Sequence, residues 1–159
     1  MHQKNGDAIP IIDIFAGPGG LGEGFSAFTD SSGNHPFKIA LSIEKDPLAH
    51  QTLTLRSFFR QFPPREAPAE YYRRLQQKIT TPDLFNAFPE HAAAARSEAW
   101  RATLGDDAEA PLPELRRRVR EALARTNQTR LTYRFRAVTR SQSFALRYRA
   151  RKLTNSKRP

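Results

Sequence analysis

The sequence predicts an α/β fold of the doubly wound class, and three observations near its start predict it. An apolar run at 8–15 is followed at once by a glycine-rich turn. A second apolar run covers 37–43, and an amphipathic helical pattern comes after each run, at 20–29 and at 46–62. The order strand, helix, strand, helix, with a ligand loop after the first strand, is typical of parallel sheets covered by helices.

The glycine-rich turn is the strongest indication of a binding site. After the first strand the chain reads Gly17-Pro18-Gly19-Gly20-Leu21-Gly22. Glycine allows positive φ and lets a ligand approach the backbone, because it has no Cβ. The N–H groups at the start of the following helix, together with the helix dipole, favour a nucleotide-like ligand. The turn therefore predicts a cofactor site rather than a plain connection.

The glycine spacing by itself fits more than one cofactor. Gly17-x-Gly19-x-x-Gly22 matches the dinucleotide fingerprint, and Glu44 lies at about the distance where an acidic residue binds ribose hydroxyls. This pattern keeps a fragment of an NAD-binding oxidoreductase with a Rossmann fold open as an alternative.

A longer stretch around the turn is more specific. Residues 13–25 read Asp-Ile-Phe-Ala-Gly-Pro-Gly-Gly-Leu-Gly-Glu-Gly-Phe, and residues 40–46 read Ala-Leu-Ser-Ile-Glu-Lys-Asp. These segments resemble the first two motifs of the cytosine-5 DNA methyltransferases. The resemblance implies the N-terminal part of a Rossmann-like, S-adenosylmethionine-dependent methyltransferase fold. It also implies methyl transfer from S-adenosylmethionine to carbon 5 of cytosine in DNA, in a restriction–modification system. Asp13 and Phe15 favour this family over a nicotinamide-binding protein.

The resemblance also implies roles for individual residues. In this family the glycine loop contacts S-adenosylmethionine, and the acidic residue that ends the second strand binds its ribose. Glu44 would then hold the ribose hydroxyls, and Lys45 would flank the adenine. The residues expected to line the cofactor pocket are Phe15, Ala16, Gly17, Pro18, Gly19, Gly20 and Leu21.

The region 63–127 has a helical pattern. Thr81-Pro82 is typical of a cap and first turn, an alanine-rich segment covers 91–104, and a basic helix is expected at 113–125. The region resembles the helical insertion that some members of the family carry after their second strand. Its apolar residues recur at helical spacing and are interpreted as packing residues. These residues are Tyr71, Leu75, Phe85 and Trp100.

Positive charge is concentrated near the end of the sequence. The formal net charge is +10, and residues 112–159 hold 15 lysines and arginines against two acidic residues. Such a stretch binds phosphates without sequence preference, which makes DNA an expected partner. A small basic nucleic-acid-binding protein is therefore a second alternative. The predicted organisation is a cofactor-binding part at 1–62, the helical insertion at 63–127 and an irregular basic tail at 128–159.

The tail lacks the expected nucleophile. Gln142, Phe144 and the Arg-Ala-Arg of 149–151 resemble the residues after the catalytic cysteine in the family, and Ser141 then stands at the cysteine position. A serine hydroxyl is far less acidic than a thiol and needs an adjacent base to become a nucleophile. The sequence has no cysteine at all. No catalytic residue is therefore assigned, and the chain is predicted to be an inactive fragment.

Two hypotheses explain this tail. It is either the product of a damaged reading frame or truncated gene, or a genuine basic arm that contacts DNA. The sequence leaves open whether a second polypeptide supplies the rest of the fold. The absence of cysteine excludes disulfides and thiolate metal sites. No run of 18 apolar residues and no signal segment occurs, so no membrane span is expected and a cytoplasmic location is the default.

Overall fold

A three-stranded parallel sheet with the strand order β1-β2-β3 organises residues 8–126, the part of the chain that the computed structural model describes. Its strands are β1 (Ile9–Ile14), β2 (Phe37–Glu44) and β3 (Ala99–Arg101). The helices within these residues are α1 (Gly20–Ala27), α2 (Pro47–Phe59), α3 (Ala69–Leu75), α4 (Thr81–Ala87), α5 (Pro89–Glu98) and α6 (Leu112–Ala124). The prediction of an α/β fold is confirmed. None of these helices has the length and apolar character needed to cross a membrane.

Helices cover both faces of the sheet. Consecutive side chains of a strand point to opposite faces of the sheet, so those of Ala99 and Trp100 in β3 lie on different faces. Ala99 is buried with Leu53 of α2, whereas Trp100 is buried with Ala122 of α6. The helix that follows β2 and the helix that follows β3 therefore lie on opposite sides of the sheet.

The central strand β2 is buried over most of its length. It pairs in parallel with β1 on one side and with β3 on the other. A strand covered on both faces has no reason to alternate apolar and polar residues, which accounts for the nearly continuous apolar run seen in the sequence. The residues buried in this run are Ile39, Ala40, Leu41, Ser42 and Ile43.

Local sequence signals determine where two of the helices begin. The Asp46 carboxylate accepts a hydrogen bond from the backbone N–H of Ala49 at 2.7 Å, and Pro47 is the first residue of α2, as predicted. For α4 the prediction is displaced by one residue, since Thr80 rather than Thr81 is the cap. Thr80 and Asp83 form a reciprocal capping box, in which each side chain accepts a hydrogen bond from the backbone of the other.

The alanine-rich segment at 91–104 differs from the prediction. Helix α5 ends at Glu98 and the chain enters β3 directly, so Trp100 lies in a strand and pairs with Ile43. A three-residue strand has no recognisable period, and no glycine or proline separates it from the helix. Pairing with β2 therefore decides its conformation. The predicted helical insertion at 63–127 contributes one strand to the sheet.

A second hydrophobic cluster joins α2 to the helices α3, α4 and α5. Phe58 of α2 is fully buried at its centre, with Tyr71 and Phe85 beside it. The predicted packing role of Tyr71, Phe85 and Trp100 is confirmed. Leu75 is an exception, since it lies at the end of α3 with 53% of its surface exposed.

Candidate functional site

The loop between β1 and α1 contains three residues with positive φ. Phe15, Gly17 and Gly19 have φ values of 62°, 57° and 89°. Glycine adopts such values freely, but a bulky residue does so only when its surroundings impose it. The side chain of Phe15 is 62% exposed, so burial of its ring does not offset the strain. Strain of this kind is concentrated at ligand clamps and active sites.

Neighbouring elements hold the loop in place. The backbone N–H of Ala16 donates to Ile43 O at 3.0 Å, which extends the β1–β2 pairing into the loop. The Arg56 guanidinium of α2 donates to Pro18 O at 3.0 Å. Gly19 lies so close to α2 that a Cβ at this position would be 2.9 Å from Leu53 Cδ1. The loop is therefore packed against α2 and the end of β2.

Glu44 lies in direct contact with the glycine-rich loop. It is the last residue of β2, and its Oε2 accepts a hydrogen bond from the backbone N–H of Gly17 at 2.7 Å. Its Oε1 accepts one from the backbone N–H of Asp46 at 2.8 Å. A carboxylate oxygen has two lone pairs, so each oxygen can accept a further hydrogen bond from a ligand hydroxyl. The contact arises because the carboxyl ends of parallel strands meet at one edge of the sheet.

The other predicted site residues divide into exposed and buried groups. Pro18, Gly20 and Lys45 are exposed, and Leu21 in the first turn of α1 is 51% exposed. Ala16, also a residue of the loop, is buried with Leu53 and Ala99 and therefore anchors the loop to the core. Ser141 lies outside the described residues, as does the whole basic tail at 128–159.

Asp13, which precedes the loop in β1, lies beneath the site. It is 7% exposed, and its Oδ2 has no hydrogen-bond partner among the described residues. Burial raises the pKa of Asp13, the Arg60 guanidinium lowers it, and the charge of Glu44 raises it. Asp13 is paired in the sheet with Ser42, whose hydroxyl is also buried without a partner among the described residues.

Arg60 links the three helices α1, α2 and α5. Its guanidinium, at the end of α2, forms ion pairs with Glu23 of α1 and with Glu98 of α5, the second at 2.5 Å. Its side chain is 11% exposed and that of Glu98 is 12% exposed. The sequence predicts no role at the site for either Arg56 or Arg60. Their contacts join residues about 37 positions apart, and no local pattern indicates such pairs.

The arrangement can hold a small polar ligand that has hydroxyl groups. It combines the N-terminus of α1, a hydrogen-bonding carboxylate and an exposed aromatic ring at one edge of a parallel sheet. No protein-family model matches this chain, and neither does a curated protein or a solved structure. The assignment of a function therefore depends on the geometry of this site and on the sequence motifs.

Proposed function

We propose that this chain binds S-adenosylmethionine at the glycine-rich loop, as the cofactor-binding part of a cytosine-5 DNA methyltransferase. The observation that carries the proposal is the 2.7 Å hydrogen bond between Gly17 N and Glu44 Oε2. It brings the predicted ribose-binding carboxylate to the loop at the carboxyl edge of a parallel sheet. Ligands of open α/β sheets bind at this edge.

The chemistry of the loop residues is compatible with this cofactor. The free lone pairs of Glu44 can accept hydrogen bonds from the two ribose hydroxyls. The positive end of the α1 dipole favours the carboxylate of the methionine part. The Phe15 ring and the Leu21 side chain supply exposed apolar surface, which a bound cofactor would cover. Binding would then offset part of the strain at Phe15.

Cofactor binding and methyl transfer need different residues. Cytosine methylation in the family needs a thiolate that attacks carbon 6 of a flipped-out cytosine. None of the 159 residues is a cysteine. We therefore expect the chain on its own to bind S-adenosylmethionine and to transfer no methyl group to DNA.

Calorimetric titration of the 159-residue chain with S-adenosylmethionine tests the proposal. The decisive variant is Glu44→Gln, which keeps the size of the side chain but removes its charge. Glu66→Gln is the matched control, because Glu66 is an exposed glutamate in the segment between α2 and α3. A parallel titration with NAD examines the alternative cofactor.

We expect saturable binding of S-adenosylmethionine that is at least about tenfold weaker in Glu44→Gln, because a hydrogen bond to a charged group contributes about 1.5–3 kcal/mol. The control should bind like the unchanged chain. The proposal is wrong if the chain does not bind S-adenosylmethionine, if it binds NAD instead, or if Glu44→Gln and Glu66→Gln bind equally well.

A further inference from the structure

The exposed side of α6 is strongly basic. Residues 112–126 carry five arginines and two glutamates. Residues 8–111 carry 13 acidic and 10 basic residues in total. Residues 56–78, with six basic and two acidic residues, are a second positively charged segment of the described chain.

The apolar side of α6 is already occupied by the sheet. Leu115, Val119 and Ala122 pack in the cluster that contains Trp100. The Arg118 guanidinium lies 4.5 Å from the centre of the Trp100 ring. An amphipathic helix binds a lipid surface by inserting its apolar side, and that side of α6 is buried. A partner can therefore bind the outer side of α6 mainly through charge.

Two of the arginines are distinguished from the others by their surroundings. Arg116 and Arg120 are exposed and form no ion pair or side-chain hydrogen bond with any residue from 8 to 126. They are four positions apart, which places them on the same side of the helix, about 5–6 Å apart at their Cβ atoms. Two guanidinium groups at this spacing can bind phosphates of one nucleic-acid backbone.

The neighbouring arginines of α6 are paired within the protein. Arg117 donates to Glu114 and Glu121, and Arg118 donates to Glu114 at 2.8 Å. These hydrogen bonds lower the pKa of Glu114 to about 2, so its carboxylate stays charged and neutralises its partners. Arg117 and Arg118 line a cavity of about 220 Å³ between β2, α5 and α6. Because their charges are compensated, we do not assign phosphate binding to that cavity.

We propose that Arg116 and Arg120 bind the phosphate backbone of duplex DNA and make α6 a contact without sequence preference. Arginine suits this role, because its planar guanidinium donates two parallel hydrogen bonds to a phosphate. The choice of DNA rests on the proposed function. The contact itself is independent of the cofactor, since α6 lies on the opposite face of the sheet from α2, which holds the glycine-rich loop.

The salt dependence of DNA binding by the full 159-residue chain tests this inference. Fluorescence anisotropy with a labelled duplex is measured at several salt concentrations, without cofactor. The test variant is the double replacement Arg116→Gln and Arg120→Gln. The matched control is Arg65→Gln with Arg73→Gln, because both arginines are exposed and lie outside α6. A third variant, Arg116→Lys with Arg120→Lys, keeps the charge.

We expect the slope of log affinity against log salt to become shallower by about 2 in the glutamine variant, since each phosphate contact contributes about 0.9. The control and the lysine variant should keep the original slope. The inference is overturned if the slope decreases equally in the glutamine variant and the control. It is also overturned if the slope decreases as much in the lysine variant as in the glutamine variant. A larger loss of affinity for phosphatidylserine vesicles or for duplex RNA than for DNA in the glutamine variant would also overturn it.

Titration of the same glutamine variant with S-adenosylmethionine keeps the two proposals apart. Unchanged cofactor affinity together with reduced DNA affinity supports the inference about α6. If the unchanged chain binds DNA with the expected slope but does not bind the cofactor, the proposed function fails and the phosphate contact of α6 stands.

Discussion

Replacing Gly19 with alanine tests whether the glycine-rich loop is packed tightly against α2. Gly19 has a φ of +89°, and an added Cβ would lie 2.9 Å from Leu53 Cδ1. Leu53 is 1% exposed and packs with Ala16 and Ala99, so a shift of its side chain would disturb its buried neighbours. Alanine at this position therefore brings both backbone strain and overpacking.

The size of the effect is the sum of these two contributions. A left-handed backbone costs a residue other than glycine about 1–2 kcal/mol. Overpacking of a well-packed core costs about 1–3 kcal/mol. We therefore expect Gly19→Ala to lower the free energy of unfolding by about 3 kcal/mol, a large part of the roughly 5–15 kcal/mol typical of a domain.

Two other glycines provide matched controls. Gly17 has a φ of +57°, and an alanine Cβ there would have no atom within 4 Å, so only the backbone contributes. We expect a loss of about 1 kcal/mol for Gly17→Ala. Gly24 lies within α1 with open space around it, and alanine should raise the stability by about 0.5–1 kcal/mol.

Urea unfolding followed by circular dichroism and by the fluorescence of Trp100 measures all three variants. The expected order of stability is Gly24→Ala, the unchanged chain, Gly17→Ala and then Gly19→Ala. If Gly19→Ala is no less stable than Gly17→Ala, the close contact between Gly19 and Leu53 does not exist.

Three further predictions concern Asp13, Arg60 and one helix cap. Burial raises the pKa of Asp13 above its ordinary value of 3.8, so its contribution to stability is greatest below that value and is lost as the pH rises through the raised pKa. Asp13→Asn should therefore gain stability relative to the unchanged chain as the pH rises from about 4 to about 7 in urea unfolding, and an equal difference at both pH values would contradict this. Arg60→Met leaves the carboxylate of Glu98 buried without its cation, and we expect a loss of about 3 kcal/mol; no loss in urea unfolding would show that the ion pair does not form. Thr80→Ala removes the α4 cap and should cost about 1 kcal/mol in thermal unfolding, whereas serine at this position should restore most of it.

The contact between Glu44 and the glycine-rich loop could be expected from the sequence. An apolar run followed by glycines predicts a strand and a turn, and a second apolar run that ends in Glu44 predicts a second strand. If the two strands are parallel, their carboxyl ends lie at the same edge of the sheet. The residues Gly17 and Glu44 are then neighbours, although 27 positions separate them.

The support of the loop could not be expected in the same way. Arg56 contacts the loop, and Arg60 contacts α1 and α5, because α2 packs against these elements. Nothing in the local sequence distinguishes the two arginines from other surface arginines. The left-handed backbone of Phe15 is another example, because aromatic residues do not favour that conformation. These features depend on how the elements pack.

Local sequence specifies the helix starts at Asp46 and Thr80, the burial of β2 and the order of the first elements. These are properties of neighbouring residues or of a continuous apolar run, so they can be expected before any tertiary contact is known. Tertiary packing is needed to make Ala99–Arg101 a strand, to bury Asp13 and to pair Arg60 with Glu23 and Glu98. Each of these depends on contacts between residues that lie far apart in the chain, which no local pattern specifies.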